Sequence, residues 1–187
     1  MAGVDYFYIV IDVSESMQGN RIGAVNDAVN NIVFRLKRIK AAKGIIPQII
    51  SLTYSVDVQW STPFPVDVVS FVYCDPLVVG KASNMAKALL ELETKLDRQS
   101  QAVSAQESNT TIIYFTDGLV TDNLAEARDK LFNNRVYKEA KKIAVTFGDE
   151  LTLDIAKENL LTILDSEKDI VVDDFVELNR IIFEQYK

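Results

Sequence analysis

The chain has 187 residues, of which 48% are hydrophobic and 25% charged, and its 27 acidic and 20 basic residues give a formal net charge of −7. These values are typical of one ordinary globular domain, and we predict a single domain over residues 1–187. The acidic balance argues against a nucleic-acid partner, because phosphate binding needs clustered Lys and Arg side chains.

The start of the sequence lacks the features of a targeting segment. Residues 1–5 contain no basic side chain, and the apolar run 6–11 stops at Asp12, which is too short for a signal core or a membrane span. We therefore expect a cytoplasmic protein without membrane contact.

The single cysteine, Cys74, fits a reducing compartment, and we expect it in a small buried or half-buried apolar position.

The first two predicted elements are a strand and a long helix. Residues 6–11 form a continuous apolar, β-prone run, which is typical of a central parallel strand covered on both faces. Apolar residues then recur every three or four positions from Ile22 to Ile39, so we predict an amphipathic helix ending near Gly44. Its basic run, residues 35–40, is interpreted as a helix end favoured by the macrodipole.

A hairpin follows this helix. Residues 45–54 predict the second strand, and residues 56–60 predict an antiparallel partner at the sheet edge, because the connection is too short for a parallel pair. The prolines of segment 62–65 are expected to break the strand pattern. Residues 66–73 are β-prone but lead into a loop, and their structure is left open.

Helix and strand alternate through the rest of the chain. Helices are predicted over 85–96, 124–132, 153–161 and 175–182, and strands over 110–115, 143–147 and 170–172. The polar stretch 97–109 is interpreted as a solvated helix end and loop, and Asn123 with Glu126 has capping-box spacing. The predicted fold class is α/β: a doubly wound, mainly parallel Rossmann-like sheet with helices on both faces and one antiparallel edge strand.

Three polar clusters fall at the predicted carboxyl edge of this sheet, where open α/β sheets bind ligands. In the first, after the first strand, alternation lets Asp12, Ser14 and Ser16 converge on one point. The second places Ser83 at the start of a helix, and the third places Asp117 after the strand 110–115.

These five side chains offer hard oxygen ligands, which suit Mg²⁺, with Mn²⁺ or Ca²⁺ as substitutes. Structural zinc is excluded because the chain has no histidine and one cysteine. Two carboxylates roughly cancel the charge of the ion, so it stays electrophilic toward an incoming Asp or Glu of a protein partner.

The pattern Asp12-x-Ser14-x-Ser16, a later hydroxyl residue and Asp117-Gly118 resembles the metal-ion-dependent adhesion site (MIDAS) of von Willebrand factor A domains. The resemblance covers nearly the whole chain. Residues 12–26, together with segments 75–77, 83–85 and 88–89, look like the bacterial TerY-type branch associated with tellurite resistance.

This resemblance implies a divalent ion at the top of a Rossmann-like sheet and metal-mediated protein binding. It implies Ser14, Ser16 and Ser83 as direct ligands, with Asp12 and Asp117 acting partly through water. It also implies a bacterial stress-response assembly with a kinase or phosphatase as partner. The family usually has threonine, often after glycines, where this chain has Lys81-Ala82-Ser83, so Asn84 is an alternative ligand.

Each cluster also has a purely structural interpretation. The serines are good helix caps, and Asp117-Gly118 is a common turn.

The functional alternatives are a metal-free interaction scaffold and a Mg-dependent hydrolase. A hydrolase with an aspartate nucleophile would need a second carboxylate at Ser14, and a serine nucleophile would need a lysine in place of the missing histidine. A dinucleotide site would need a glycine-rich turn after the first strand. We therefore predict that the domain is not an enzyme.

Overall fold

A six-stranded sheet organises the residues that the computed structural model describes, 3–102 and 108–186. The strands are β1 (Val4–Asp12), β2 (Ile46–Tyr54), β3 (Val58–Asp67), β4 (Ser108–Phe115), β5 (Lys141–Thr146) and β6 (Ile170–Val172). The helices are α1 (Asn20–Lys43), α2 (Met85–Ala102), α3 (Ala125–Asn133), α4 (Arg135–Glu139), α5 (Glu150–Leu161) and α6 (Phe175–Phe183). In the described part of the chain, no helix combines the length and the apolar character needed to cross a bilayer.

The strand order is β3-β2-β1-β4-β5-β6. All neighbouring strands are parallel except β3, which lies antiparallel to β2 at the edge. This arrangement confirms the predicted fold class. From β1 the chain winds outward through β2 and β3, and it then returns to the other side of β1 to form β4. The winding direction therefore reverses between β1 and β4.

Strand β1 is the centre of the core on both faces of the sheet. Its side chains alternate, so Phe7 and Ile9 pack with α1 and α6, whereas Tyr8 and Val10 pack with the helices of the opposite face. All four are at most 2% exposed. Full burial of each apolar side chain stabilises the fold by about 1.5–3 kcal/mol. Because β1 is packed on both faces, the position of its last residue, Asp12, is fixed.

The expected break at residues 62–65 was wrong, because β3 runs through this segment to Asp67. Prolines are tolerated on an edge strand, where one side of the backbone has no ladder partner. The pairing with β2 is irregular on both sides of Ser51, and Thr62 Oγ1 accepts a hydrogen bond from Ser51 N at 2.8 Å. Of the segment 66–73 that was left open, residues 66–67 belong to β3 and the rest is turn and irregular structure.

Other local predictions also need correction. The capping box does not form, because Asn123 accepts a hydrogen bond from Ala125 N while Glu126 pairs with Lys130. Cys74 is exposed and not buried. The short helix α4 was not predicted. Within the polar stretch 97–109, α2 continues to Ala102 and β4 starts at Ser108, and residues 103–107 lie outside the described residues.

Candidate metal centre

The three predicted clusters lie together at the point where the winding direction reverses. Asp12 is the last residue of β1, and Asp117 follows the end of β4, the parallel neighbour of β1. Ser83 lies two residues before α2. Because the carboxyl ends of β1 and β4 are adjacent, residues far apart in sequence reach one site.

Main-chain hydrogen bonds join the loops that carry these clusters. Val79 N donates to Val13 O at 2.8 Å, which ties the segment before α2 to the loop after β1. Thr121 N donates to Ser83 O at 3.0 Å, and Ser83 N donates to Thr121 Oγ1 at 3.0 Å. The position of Ser83 is therefore set by the loop that also carries Asp117.

Asp12 is the residue on which the clusters converge. Its side chain is buried, and Oδ2 accepts hydrogen bonds from Ser83 Oγ at 2.8 Å and from Thr116 Oγ1 at 3.0 Å. Its Oδ1 accepts a hydrogen bond from Ser14 N at 2.9 Å. Burial raises the pKa of the Asp12 carboxyl and nearby Asp117 adds to this, although the bonds from Ser14 and Ser83 act in the opposite direction. A cation beside it would favour the ionised form.

The two serines of the first cluster face each other. Ser14 Oγ lies 3.1 Å from Ser16 Oγ, and Ser14 is buried whereas Ser16 is exposed. Ser14 precedes a short 3₁₀ turn without capping it through its side chain, and α1 begins after Gly19, also without a side-chain cap. The capping interpretation of these two serines was therefore wrong.

Asp117 combines a turn with an ion pair. Its Oδ1 accepts a hydrogen bond from Leu119 N at 3.1 Å, and Gly118 has φ of 73°, so the turn interpretation holds for one oxygen. The other oxygen, Oδ2, lies 3.2 Å from Arg21 Nη1. The same Nη1 donates to Ser16 O at 3.0 Å, so Arg21 links the first cluster to the third.

Sequence reasoning missed three residues of this site. Arg21 could have been noticed as a cation close to the first cluster. Thr116, which precedes Asp117 in the third cluster, is buried and accepts a hydrogen bond from Gly118 N at 3.0 Å, but no role was predicted for it. The buried Tyr54 hydroxyl has no hydrogen-bond partner among the described residues, and burial together with Asp12 raises its pKa well above the usual value.

The alternative ligand Asn84 is engaged elsewhere. Its side chain donates to Val56 O at 3.0 Å and accepts a hydrogen bond from Thr121 Oγ1 at 3.1 Å. These bonds brace the loops, whereas the neighbouring Ser83 hydroxyl contacts Asp12. The geometry therefore favours Ser83 over Asn84 as the oxygen at this position.

The chemistry of the donors fits a hard divalent ion. Among residues 3–102 and 108–186, no three or more His, Cys, Asp or Glu side chains are grouped as metal ligands. An ion at this site would therefore depend on hydroxyl oxygens beside the two aspartates. Carboxylate and hydroxyl oxygens suit Mg²⁺ better than soft metals, and residues 14, 16 and 83 supply three such hydroxyls.

No protein-family model and no curated protein sequence matches the chain. Solved structures do match. The pilus adhesin SpaC from Lactobacillus rhamnosus GG gives a TM-score of 0.69 at 12% identity, covering 100% of this chain and 30% of its own. Proximal thread matrix protein 1 (PTMP1) from the mussel byssus gives 0.66 at 14% identity, with 97% and 46% covered. The ArnB paralog VWA2 from Sulfolobus acidocaldarius gives 0.58 at 18% identity, with 99% and 45% covered.

A further structure of mussel PTMP1 is described as having a zinc-occupied MIDAS motif, and it matches with a TM-score of 0.61 at 16% identity. This chain spans less than half of the length of each of these solved proteins. At such low identities the similarity concerns the fold. The six-stranded, mainly parallel sheet with its flanking helices is the von Willebrand factor A-like α/β fold.

Proposed function

We propose that this domain is a metal-dependent protein-binding module whose ion is held by Asp12, Ser14, Ser16, Ser83 and Asp117. One observation carries the proposal: the buried Asp12 carboxylate receives a hydrogen bond from each of the three clusters, through Ser14 N, Ser83 Oγ and Thr116 Oγ1. Such convergence at a switch point is typical of a binding site.

Mg²⁺ is the proposed ion, with Mn²⁺ or Ca²⁺ as substitutes of the same hard character. When bound, the ion supplies a Lewis-acidic position for the Asp or Glu side chain of a protein partner. The three hydroxyls add no charge, so the two aspartates leave the ion able to attract that carboxylate. The zinc-occupied MIDAS of mussel PTMP1 supports a divalent ion in a domain of this fold.

The biological setting proposed here rests on the sequence resemblance alone. Residues 12–26 look like the bacterial TerY-type branch, so we place this single 187-residue domain in a cytoplasmic stress-response or tellurite-resistance assembly. A kinase or a phosphatase is the proposed partner. Affinity capture in Mg²⁺ and in chelator tests this, since a true partner is lost on chelation and when Asp12→Ala is the bait.

Calorimetric titration with Mg²⁺ tests the metal centre directly. Wild-type protein is expected to bind one ion, and Asp12→Ala is expected to give no binding heat. Asp154→Ala is the matched control, because Asp154 is an exposed carboxylate on α5. If wild type gives no heat, or if Asp12→Ala binds as well as wild type, the proposed metal centre is wrong.

A metal-free interaction scaffold is the second candidate, and one contact favours it. Arg21 already supplies positive charge to Asp117 without any metal. The same calorimetric titration with Mg²⁺ separates the two candidates.

We propose no catalytic role. Incubation with nucleotides and phosphoesters tests that part, and turnover that disappears in Asp12→Ala would instead support a Mg-dependent hydrolase.

A further inference from the structure

Both carboxylate oxygens of Asp117 already have a partner within the protein. Its side chain is 1% exposed, Oδ1 accepts from Leu119 N, and Oδ2 is paired with Arg21 at 3.2 Å. In the described part of the chain, no other lysine or arginine forms an ion pair with Asp12 or Asp117. The guanidinium is thus a resident cation at one of the proposed ligands.

The position of Arg21 also brings it close to the proposed ligand Ser16. Its Nη1 bonds both Ser16 O and Asp117 Oδ2, at 3.0 Å and 3.2 Å, so one nitrogen lies between the first and the third clusters. A divalent ion that contacts the same two residues would repel this positive charge at short range. The guanidinium and the ion are therefore alternatives at Asp117.

Arg21 can leave this position without being buried elsewhere. Its side chain is 33% exposed, so a displaced guanidinium reaches water while its aliphatic part stays on the surface.

We propose that Arg21 is a built-in competitor of the divalent ion, which must displace the guanidinium from Asp117 in order to bind. The inference rests on the proposed metal centre and adds a determinant of its affinity. In the ion-free protein Arg21 holds Asp117 in place and offsets its charge. Its displacement lowers the affinity for the ion below the value that the oxygen ligands alone would give.

The test compares Mg²⁺ titrations of wild type with Arg21→Gln in low-salt buffer. Arg21→Gln is expected to bind Mg²⁺ about tenfold more tightly, since a partly exposed ion pair with a buried carboxylate is removed. Arg21→Lys keeps the charge and is expected to stay near wild type. Arg135→Gln is the control, because it removes an equal charge from an exposed pair with Glu139 on α4.

Thermal unfolding provides a readout that a merely structural role would not reproduce. In chelator, Arg21→Gln should unfold at a lower temperature than wild type, because Asp117 loses its partner. In saturating Mg²⁺ the difference in unfolding temperature between the two proteins should shrink or reverse. The increase in unfolding temperature that Mg²⁺ causes should therefore be larger in Arg21→Gln than in wild type.

The possible failures can be told apart. Equal or weaker Mg²⁺ binding by folded Arg21→Gln, with wild type binding normally, overturns the competition and leaves the metal centre intact. Tighter binding by Arg135→Gln to the same degree also overturns it, because the effect would then be one of net charge. If neither wild type nor Arg21→Gln binds Mg²⁺ while both stay folded, the metal centre itself is wrong.

Discussion

The carboxylate of Asp12 is the most constrained group of the candidate site. A buried charge lowers stability unless hydrogen bonds or an opposite charge compensate for it. Three donors reach Asp12, yet burial still raises the pKa of its carboxyl. These donors therefore compensate only part of the effect of burial, and a cation would supply the rest.

Thr116 is the donor whose contribution can be isolated most cleanly. Thr116→Val keeps the shape of the side chain but removes the hydroxyl between Asp12 Oδ2 and Gly118 N. We expect a loss of about 1–3 kcal/mol in the free energy of unfolding. We also expect Mg²⁺ affinity to fall by about tenfold or more. Denaturant unfolding and calorimetry measure both effects. Thr116→Ser retains the hydroxyl and should lose much less, and equal losses in the two variants would contradict the argument.

The residues of the site differ in how well a sequence can reveal them. Asp12 and Asp117 follow apolar runs, and parallel strands bring their carboxyl ends to one edge, so their proximity could be predicted. Their role as metal ligands stays a prediction. Tyr54 could not be found, because its closeness to Asp12 depends on the register between β1 and β2. Arg21 is close to the first cluster in sequence, but its ion pair with Asp117 depends on the conformation of its long side chain.

At the scale of elements, α5 fixes the turn that carries Asp117. Gly118 has φ of 73°, and a Cβ added there would lie 2.6 Å from the Cβ of Ala156 on α5. Asn159 Nδ2 also donates to Gly118 O at 2.9 Å. Helix, glycine and turn therefore form one rigid unit behind the candidate metal centre.

Gly118→Ala tests this unit. We expect it to lower the free energy of unfolding by roughly 2–4 kcal/mol, because a left-handed conformation and a steric overlap both oppose the new methyl group. Mg²⁺ binding should weaken as the turn shifts. Gly23→Ala is the control within α1, where an added Cβ meets nothing within 4 Å. That substitution should be neutral or stabilise the protein by up to about 1 kcal/mol. Denaturant unfolding measures both effects. Equal free energies of unfolding for Gly118→Ala and Gly23→Ala would contradict the argument.

The edge strand β3 combines two prolines with an exposed aromatic side chain. Phe64 is 74% exposed between Pro63 and Pro65. An open edge with apolar side chains invites pairing with another chain, and proline blocks such pairing because it lacks a backbone N–H group. We therefore expect the two prolines to protect this edge.

Replacing Pro63 and Pro65 together by Thr should promote self-association through β3. Light scattering and sedimentation over a range of concentrations measure it, and wild type is expected to associate less. Pro76→Thr is the control, because Pro76 lies outside the strands. An unchanged association state in the double variant would show that the prolines do not protect the edge.

The bounds of an element could be predicted where the residues that set them are close together in the sequence. The end of α1 was predictable because Gly44 takes the left-handed conformation that stops a helix, with φ of 69°. The course of β3 was not, since its prolines indicate a break when read locally, and pairing with β2 overrides that signal. The start of α4 depends on the cap by Asn134, which accepts from Tyr137 N.

The whole molecule places its polar site between two separate apolar cores. One core lies between the sheet and α1 with α6, and the other lies on the opposite face against α2, α3, α4 and α5. The sheet is thus stabilised on both faces without the clusters at its edge. The fold tolerates a charged site there, and an ion that binds only the folded state should stabilise the entire domain.

This coupling gives a prediction about the molecule as a whole. At a Mg²⁺ concentration one hundred times the dissociation constant, the free energy of unfolding should rise by about 2.7 kcal/mol. For a domain of this size that corresponds to an increase of roughly 5–10 °C in the melting temperature. Thermal scans in Mg²⁺ and in chelator measure the shift. Asp12→Asn should abolish it, because the carboxylate on which the clusters converge is gone.

The sign of the Asp12→Asn effect in chelator follows from the raised pKa of Asp12. A carboxyl whose pKa is higher in the folded than in the unfolded chain lowers stability when ionised, so its cost is present at neutral pH and disappears as pH falls through the folded pKa. Asn carries no charge, so Asp12→Asn should melt at or above the wild-type temperature in chelator at neutral pH. In Mg²⁺ the order should invert, with wild type more stable. If Asp12→Asn is less stable than wild type by the same amount in both buffers, the Asp12 carboxylate has a structural role only and binds no ion.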